Sequence, residues 1–176
     1  VSTIALAGTA EAEAWFEALY RASAADVHAY VASLLRDRAA AEDVVALAFE
    51  RAYRRRRLFN ARRGTPRAWL FGIARNAALD ELRRRARTAG ITQGAAIADD
   101  AQAGQDADAE SVARRVAVQQ ALAQLAPRDR ELILLKFHGQ LTNAELARVL
   151  GTSETNAGTR LHRVLGRLRE SFDETA

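Results

Sequence analysis

TPRAWLFGIARNAALDELRRRAR, residues 65–87, reads as one helix with a marked start. Thr65 is a good N-cap, and Pro66 suits the first helical position, where its missing N–H would have no partner anyway. Trp69, Leu70, Ile73, Ala77, Leu79 and Leu82 recur at helical spacing and form a broad apolar stripe. The other side shows Arg67, Arg75, Asn76, Asp80, Arg83 and Arg84. One face can therefore enter a core. The other offers guanidinium groups and an amide, which suit phosphates and base edges. An ordinary solvated helix fits the same pattern.

The surrounding composition favours helices. Hydrophobic residues make up 49% of the 176, many of them Ala, while aromatics are few. Two prolines and ten glycines leave little material for turn-rich β structure. The length suits one domain or two small ones. The net charge of +4 points to an anionic partner, and of 26 basic residues only Lys136 is not Arg. Arg is the better fork for phosphate and guanine. A GC-rich genome produces the same bias, so the bias alone decides nothing.

The charge is unevenly placed. Residues 1–86 carry +5, residues 87–112 carry −4 and residues 113–176 carry +3. Two basic blocks thus flank an acidic stretch rich in Ala, Gly and Gln. That stretch, 88–112, reads as a flexible linker with a helical end. The expected partition is 1–87, linker 88–112, and 113–176.

Before residue 65 the chain is also helical in pattern. Residues 1–12 look frayed. From about Glu13, Trp15, Phe16, Leu19, Tyr20, Val27, Tyr30, Val31, Leu34 and Leu35 repeat at three and four residues, giving one or two helices. Asp37 can cap the next helix, whose acids lie early and whose arginines, Arg54–Arg57, lie late, as the helix dipole favours. Residues 58–64, LFNARRG, form a short basic loop. After the linker, residues 112–125 form a helix ended by Pro127, and 130–137 form another. Thr142 and Glu145 make a capping box for a short helix to Leu150, with Gly151 at its end. Thr152 or Ser153 caps a final basic helix. A short capped helix, a Gly turn and a longer basic helix form a helix-turn-helix pattern. Its exposed side would carry Thr155, Asn156, Thr159, Arg160, Arg163 and Arg167, with Gly158 in the middle. An ordinary helical hairpin is the plainer reading of that pattern.

Several function classes find no support. There is no cysteine, so neither a disulfide frame nor a thiolate metal site is expected. His28, His138 and His162 lie in separate segments without metal-ligand spacing, and no metal or cofactor is expected. Glu42 and Asp43 are neighbours on a helix, about 100° apart, and do not form an acid–base pair. No nucleophile motif or Gly-rich phosphate loop occurs, so an enzyme is not expected. No run reaches the ~18 apolar residues of a membrane span. The start lacks a basic n-region, so no signal peptide is expected and the cytoplasm is the default location.

Two blocks together resemble the extracytoplasmic-function (ECF) sigma factors of bacterial RNA polymerase. The first is AEDVVALAFERAYRR (41–55) with WLFGIARNAALDELRRR (69–85). The second runs from Leu125-Ala126-Pro127 to Phe137 and on through LTNAELARVLGTSETNAGTRLHRVLGRLR. The resemblance implies an all-α protein of two small helical domains, a region-two-like bundle and a region-four-like helix-turn-helix, on a flexible acidic tether. It implies core RNA polymerase, through its β and β′ subunits, and promoter DNA as partners, with an anti-sigma factor as a common regulator. Docking on a β′ coiled coil would fall to the helix carrying Glu42, Asp43, Ala46, Leu47 and Glu50. The −10 element would be read and opened by Arg62, Arg63, Arg75, Asn76, Asp80, Arg83 and Arg84, with loop 60–65 capturing a flipped base. The −35 element would meet Thr155, Asn156, Thr159, Arg160, Arg163 and Arg167.

The departures are at Ala46 and Leu47, where the family is usually polar, and at Ala157 and Gly158, where it often has Val and a basic residue. Base preference at −35 therefore does not carry over. No further domain follows residue 176, so control by a C-terminal extension is not expected. The alternative is a free-standing helix-turn-helix regulator using residues 113–170 alone. Such regulators usually dimerise, and this reading leaves the first block without a purpose.

Overall fold

In the computed structural model, residues 9–91 and 109–173 are described. They form seven α-helices and two short 3₁₀ turns, with no strand among the described residues. The helices are α1 (Thr9–Leu35), α2 (Arg38–Arg55), α3 (Pro66–Ile91), α4 (Ala109–Gln124), α5 (Pro127–Phe137), α6 (Asn143–Leu150) and α7 (Glu154–Asp173).

The first three helices pack against one another. α1 is one unbroken helix of 27 residues, starting before Glu13. The chain reverses at Arg36, which adopts φ 53°. Asp37 then caps α2 by accepting the Ala40 N–H at 3.0 Å. Ala41, Val44, Ala48, Phe49 and Ala52 are the buried face of α2, spaced as one helical stripe. α3 begins as its sequence directs. Thr65 accepts the Ala68 N–H at 3.2 Å, and Pro66 opens the helix. It runs to Ile91, past Arg87, so the expected linker starts inside a helix and its end, from Ala109, is helical as well. The rest of it, 92–108, lies outside the described residues.

The last four helices form a second group, with α7 touching α4, α5 and α6. Arg130 closes α4. Its guanidinium donates to the carbonyls of Leu122 (2.8 Å), Ala123 (2.8 Å) and Leu125 (3.3 Å), satisfying acceptors that a helix end leaves open. α6 carries the expected capping box between Thr142 and Glu145, and Gly151 takes the left-handed conformation at φ 68°. The Thr152 N–H reaches back to Ala147 O at 2.8 Å. Of the two candidate caps for α7, Ser153 accepts the Asn156 N–H at 3.2 Å.

α5 joins the two groups. Leu132, Ile133, Leu134 and Leu135 are all buried. Four consecutive helical residues sweep about 300°, so one neighbour could not cover them. α5 has α6 and α7 against it and also α1 of the first group. The buried side chains of both groups make one continuous apolar cluster. Each fully buried Leu or Ile contributes about 1.5–3 kcal/mol relative to exposure.

Any side chain at 139 would force the turn after α5 to shift. A Cβ on Gly139 would lie 2.4 Å from Leu135 O. Gln140 follows at φ 53°, and Lys136 ties the turn down by donating to Leu141 O at 2.9 Å.

Candidate nucleic-acid and polymerase interface

The loop leading into α3 is held by aromatic rings. Phe59 stacks on Trp15 with centroids 5.1 Å apart and tilts against Trp69 at 5.6 Å. Both tryptophans are therefore supports for this loop rather than free stacking platforms. Asn60 accepts the Arg62 N–H at 2.9 Å and shapes the following 3₁₀ turn. Arg62 and Arg63 are exposed on it. Phe59 was not picked out from the sequence. Its signal was a large aromatic ring inside a polar, Arg-rich loop.

Along α3, Asn76, Asp80, Arg83 and Arg84 are exposed. Asp80 takes an N–H from Arg83 at 3.2 Å and an ion pair from Arg51 of α2 at 3.6 Å. Arg84 grips Glu81 with two bonds of 2.7 Å. Glu81 also accepts from Arg85, which reaches Asp37, the N-cap of α2, at 2.8 Å. The Arg84 guanidinium, joined by Arg85, outweighs burial and pulls the Glu81 carboxyl down to about 2.

Two residues expected on the open face are not on it. Arg75 is mostly buried and forms a two-point bridge to Glu131 of α5, at 2.7 and 3.3 Å. Arg67 points into the junction with the second group. It donates to Asp26 (2.5 Å), Gly139 O (2.6 Å) and His138 O (2.9 Å). Residue spacing on α3 cannot reveal this, because the covering groups come from α1, α5 and the turn after α5.

On α7, Thr155, Asn156, Thr159 and Arg163 are exposed. Arg160 and Arg167 lie about two turns apart and share one carboxylate, that of Asp129, at 2.6 and 2.5 Å. Burial alone would raise the Asp129 carboxyl. The bonds from Arg167 and Arg160 outweigh it and hold the group below its ordinary value. Ala157 is buried, and a Cβ on Gly158 would meet Asn143 of α6 at 3.4 Å. Gly158 thus faces α6 rather than the middle of the reading face.

On α2, Glu42, Asp43, Ala46, Leu47 and Glu50 are all exposed and lie along one stripe. Glu42 pairs with Arg38 and Glu50 with Arg54, each within a helical turn. Leu47 remains 37% exposed, an apolar side chain offered outward between acids.

Comparison with known proteins agrees with both halves of this arrangement. The Sigma-70 region 2 family matches residues 19–88, and Sigma-70, region 4 matches residues 115–168. The ECF RNA polymerase sigma factor SigL of Mycobacterium tuberculosis is 32% identical over 170 residues, covering 96% of each chain. CarQ of Myxococcus xanthus, an RNA polymerase sigma factor, is 32% identical over 160 residues, covering 90% of each. In fold, the chain is similar to the sigma factor RpoE of Bartonella quintana, solved in complex with the anti-sigma factor NepR. The TM-score is 0.75 at 24% identity, covering 90% of this chain and 96% of that one. It is also similar to CnrH, solved with the cytosolic domain of CnrY, with a TM-score of 0.66. No described helix is long and apolar enough to cross a membrane. The chain belongs to the ECF sigma factors, and so is a promoter-specificity subunit of RNA polymerase that binds the core enzyme and promoter DNA, not an enzyme in its own right.

Proposed function

We propose that residues 1–87 dock on core polymerase and open the −10 element, and that residues 113–176 grip the −35 duplex. The exposed row Asn76, Asp80 and Arg83 on α3, with Arg62 and Arg63 on the loop that Phe59 anchors, carries this reading. Asn76 would read a base edge. Arg62, Arg63, Arg83 and Arg84 would hold backbone phosphates of the separating strands, with Asp80 orienting Arg83. Arg75 would join them once released from Glu131. A basic surface with an amide and a preformed loop suits captured single strands.

For the −35 element, Thr155, Asn156 and Thr159 near the start of α7 would face base edges, and Arg160, Arg163 and Arg167 would reach phosphate or guanine. Glu42, Asp43, Ala46, Leu47 and Glu50 would form the polymerase contact on α2, with Leu47 as its apolar centre. Two weak sites joined through polymerase raise each other's effective concentration. The place of action is the cytoplasm, with the polymerase. An anti-sigma partner is part of this reading, since two similar folds were solved with such a protein or with CnrY.

The test is reconstitution of holoenzyme with this chain on the DNA upstream of its own gene. A transcript that needs both chain and promoter supports the assignment. Tight, sequence-specific duplex binding without polymerase, and no such transcript, would favour the free-standing regulator.

A further inference from the structure

An acid lies under the face assigned to the −35 element. Asp129, at the start of α5, has a side chain only 11% exposed, and each of its oxygens takes a different arginine of α7. Arg160 donates its Nε–H to Oδ1 at 2.6 Å, and Arg167 donates through Nη2 to Oδ2 at 2.5 Å. The two arginine side chains remain 39% and 54% exposed, so both still reach solvent while the carboxylate is covered. Arg163, exposed on the same helix, forms no ion pair among the described residues. The support is itself fixed. The Asp129 N–H closes the first turn of α5 on Ala126 O at 2.9 Å. The next residue, Arg130, is tied to three carbonyls around the end of α4, and α5 packs directly on α7.

We propose that Asp129 is a positioning residue for −35 recognition: by holding Arg160 at Nε, it presents the two terminal nitrogens of that guanidinium as a preformed fork for a guanine in the major groove. This rests on the assignment of α7 to the −35 duplex. An arginine meets guanine O6 and N7 with two donors. With Nε taken, the terminal pair remains, and it has no other hydrogen bond among the described residues. Arg160 lies in the first two turns of α7, the end that would enter the groove. Arg167 lies about 10 Å further along the axis, where phosphate is the expected contact.

A mobile arginine must be ordered when it binds, and that ordering is subtracted from the contact. A guanidinium held before encounter loses less, and a wrong base cannot be met by swinging the fork aside. The acid has an opposite effect on general attraction, since it subtracts one charge from a surface that binds phosphate by charge. Base preference and non-specific binding should therefore respond to Asp129 in opposite directions. A mere tie between α5 and α7 would move both the same way.

The test uses holoenzyme reconstituted with the wild-type chain, Asp129→Asn or Arg160→Ala, on the duplex upstream of its own gene. Each G·C pair of the −35 segment is replaced in turn by A·T. With the wild type, at least one replacement should weaken binding about 5-fold or more, as losing a bidentate arginine–guanine contact does. Arg160→Ala should abolish that sensitivity. Asp129→Asn keeps the volume but offers a neutral, weaker acceptor, and should reduce the sensitivity at the same position to about twofold. Its binding to a scrambled duplex should stay level or tighten. Wild-type sensitivity in Asp129→Asn, or a parallel loss on specific and scrambled duplexes, would overturn the positioning role. Wild-type sensitivity at every position in Arg160→Ala would overturn base reading by Arg160 beneath it. A second measurement needs no variant, so it decides the matter even if Asp129→Asn folds poorly. NMR relaxation of the arginine Nε–H groups in the full chain without DNA should find Arg160 nearly as ordered as the backbone and Arg163 mobile. Equal mobility of the two would overturn the preformed fork.

Discussion

Arg75 of α3 and Glu131 of α5, 56 positions apart in the chain, meet through two hydrogen bonds of 2.7 and 3.3 Å. The pair joins a helix matched by sigma region 2 to one matched by region 4. Removing either partner leaves the other charge in a largely enclosed place. Glu131→Ala and Arg75→Ala should each lower stability by about 2–4 kcal/mol, and a double-mutant cycle should return a coupling of about 1–3 kcal/mol. Urea unfolding measures this. Additive losses would mean that the bridge contributes little.

Asp129 predicts a double effect at Arg160. Arg160→Ala should weaken binding to the −35 duplex by about 1–3 kcal/mol if it reads a base. It should also lower the stability of the folded chain by about 1 kcal/mol, because Asp129 keeps only Arg167. Comparing specific and scrambled duplexes over a salt series separates base reading from phosphate contact. An equal loss on both, with a shallower salt slope, would assign Arg160 to phosphate.

Gly139→Ala should be more harmful than its size suggests. The new methyl would lie 2.4 Å from Leu135 O, and the Gly139 carbonyl is a main acceptor of Arg67. A loss of about 1–3 kcal/mol is expected from the forced shift. Thermal melting reads it. A melting temperature equal to wild type would show that the turn can relax.

Acid should loosen the fold through carboxyls whose folded pKa is depressed. Glu81 falls from 4.5 to about 2, through Arg84 first, with Arg85 adding to it. Asp129 and Glu145 are also held low, their hydrogen bonds outweighing burial. A depressed carboxyl contributes its stability above the unfolded pKa and loses it as pH falls through the folded one. The urea midpoint should hold from pH 7 to about 5 and then decline toward pH 2. Glu81→Gln should lower the midpoint at pH 7 and flatten that decline; an unchanged acid limb would remove Glu81 from the account.

What could be read from the residues was what they determine locally. Thr65, Asp37, Thr142 with Glu145, and Gly151 each cap the helix end beside them, and each does so in the fold. On α7 the helical period put Thr155, Asn156, Thr159 and Arg163 on the exposed side, while Arg160 is half-buried against Asp129, and the exposed face of α3 was correct at Asn76, Asp80, Arg83 and Arg84. It failed at Arg67 and Arg75, whose partners lie 41 to 72 positions away. Helical period cannot say what lands on an outward face. The run Leu132–Leu135 held a hint, since an apolar sequence that covers most of a helix needs neighbours on more than one side. Gly158 was placed on the reading face by position alone, whereas Asn143 of α6 lies against it.

The central claim is that α3 opens DNA, and Asn76 tests it most directly. Asn76 is exposed and makes no part of the α2 stripe, so Asn76→Ala should leave holoenzyme assembly intact. The measurement is permanganate reactivity of unpaired thymines across the −10 element, with polymerase affinity measured in parallel. The prediction is a loss of reactivity of about tenfold or more, matching ~1.4 kcal/mol or greater for a lost base contact, at unchanged affinity for the core enzyme. Full reactivity in the variant, or an equal loss of polymerase binding, would contradict it.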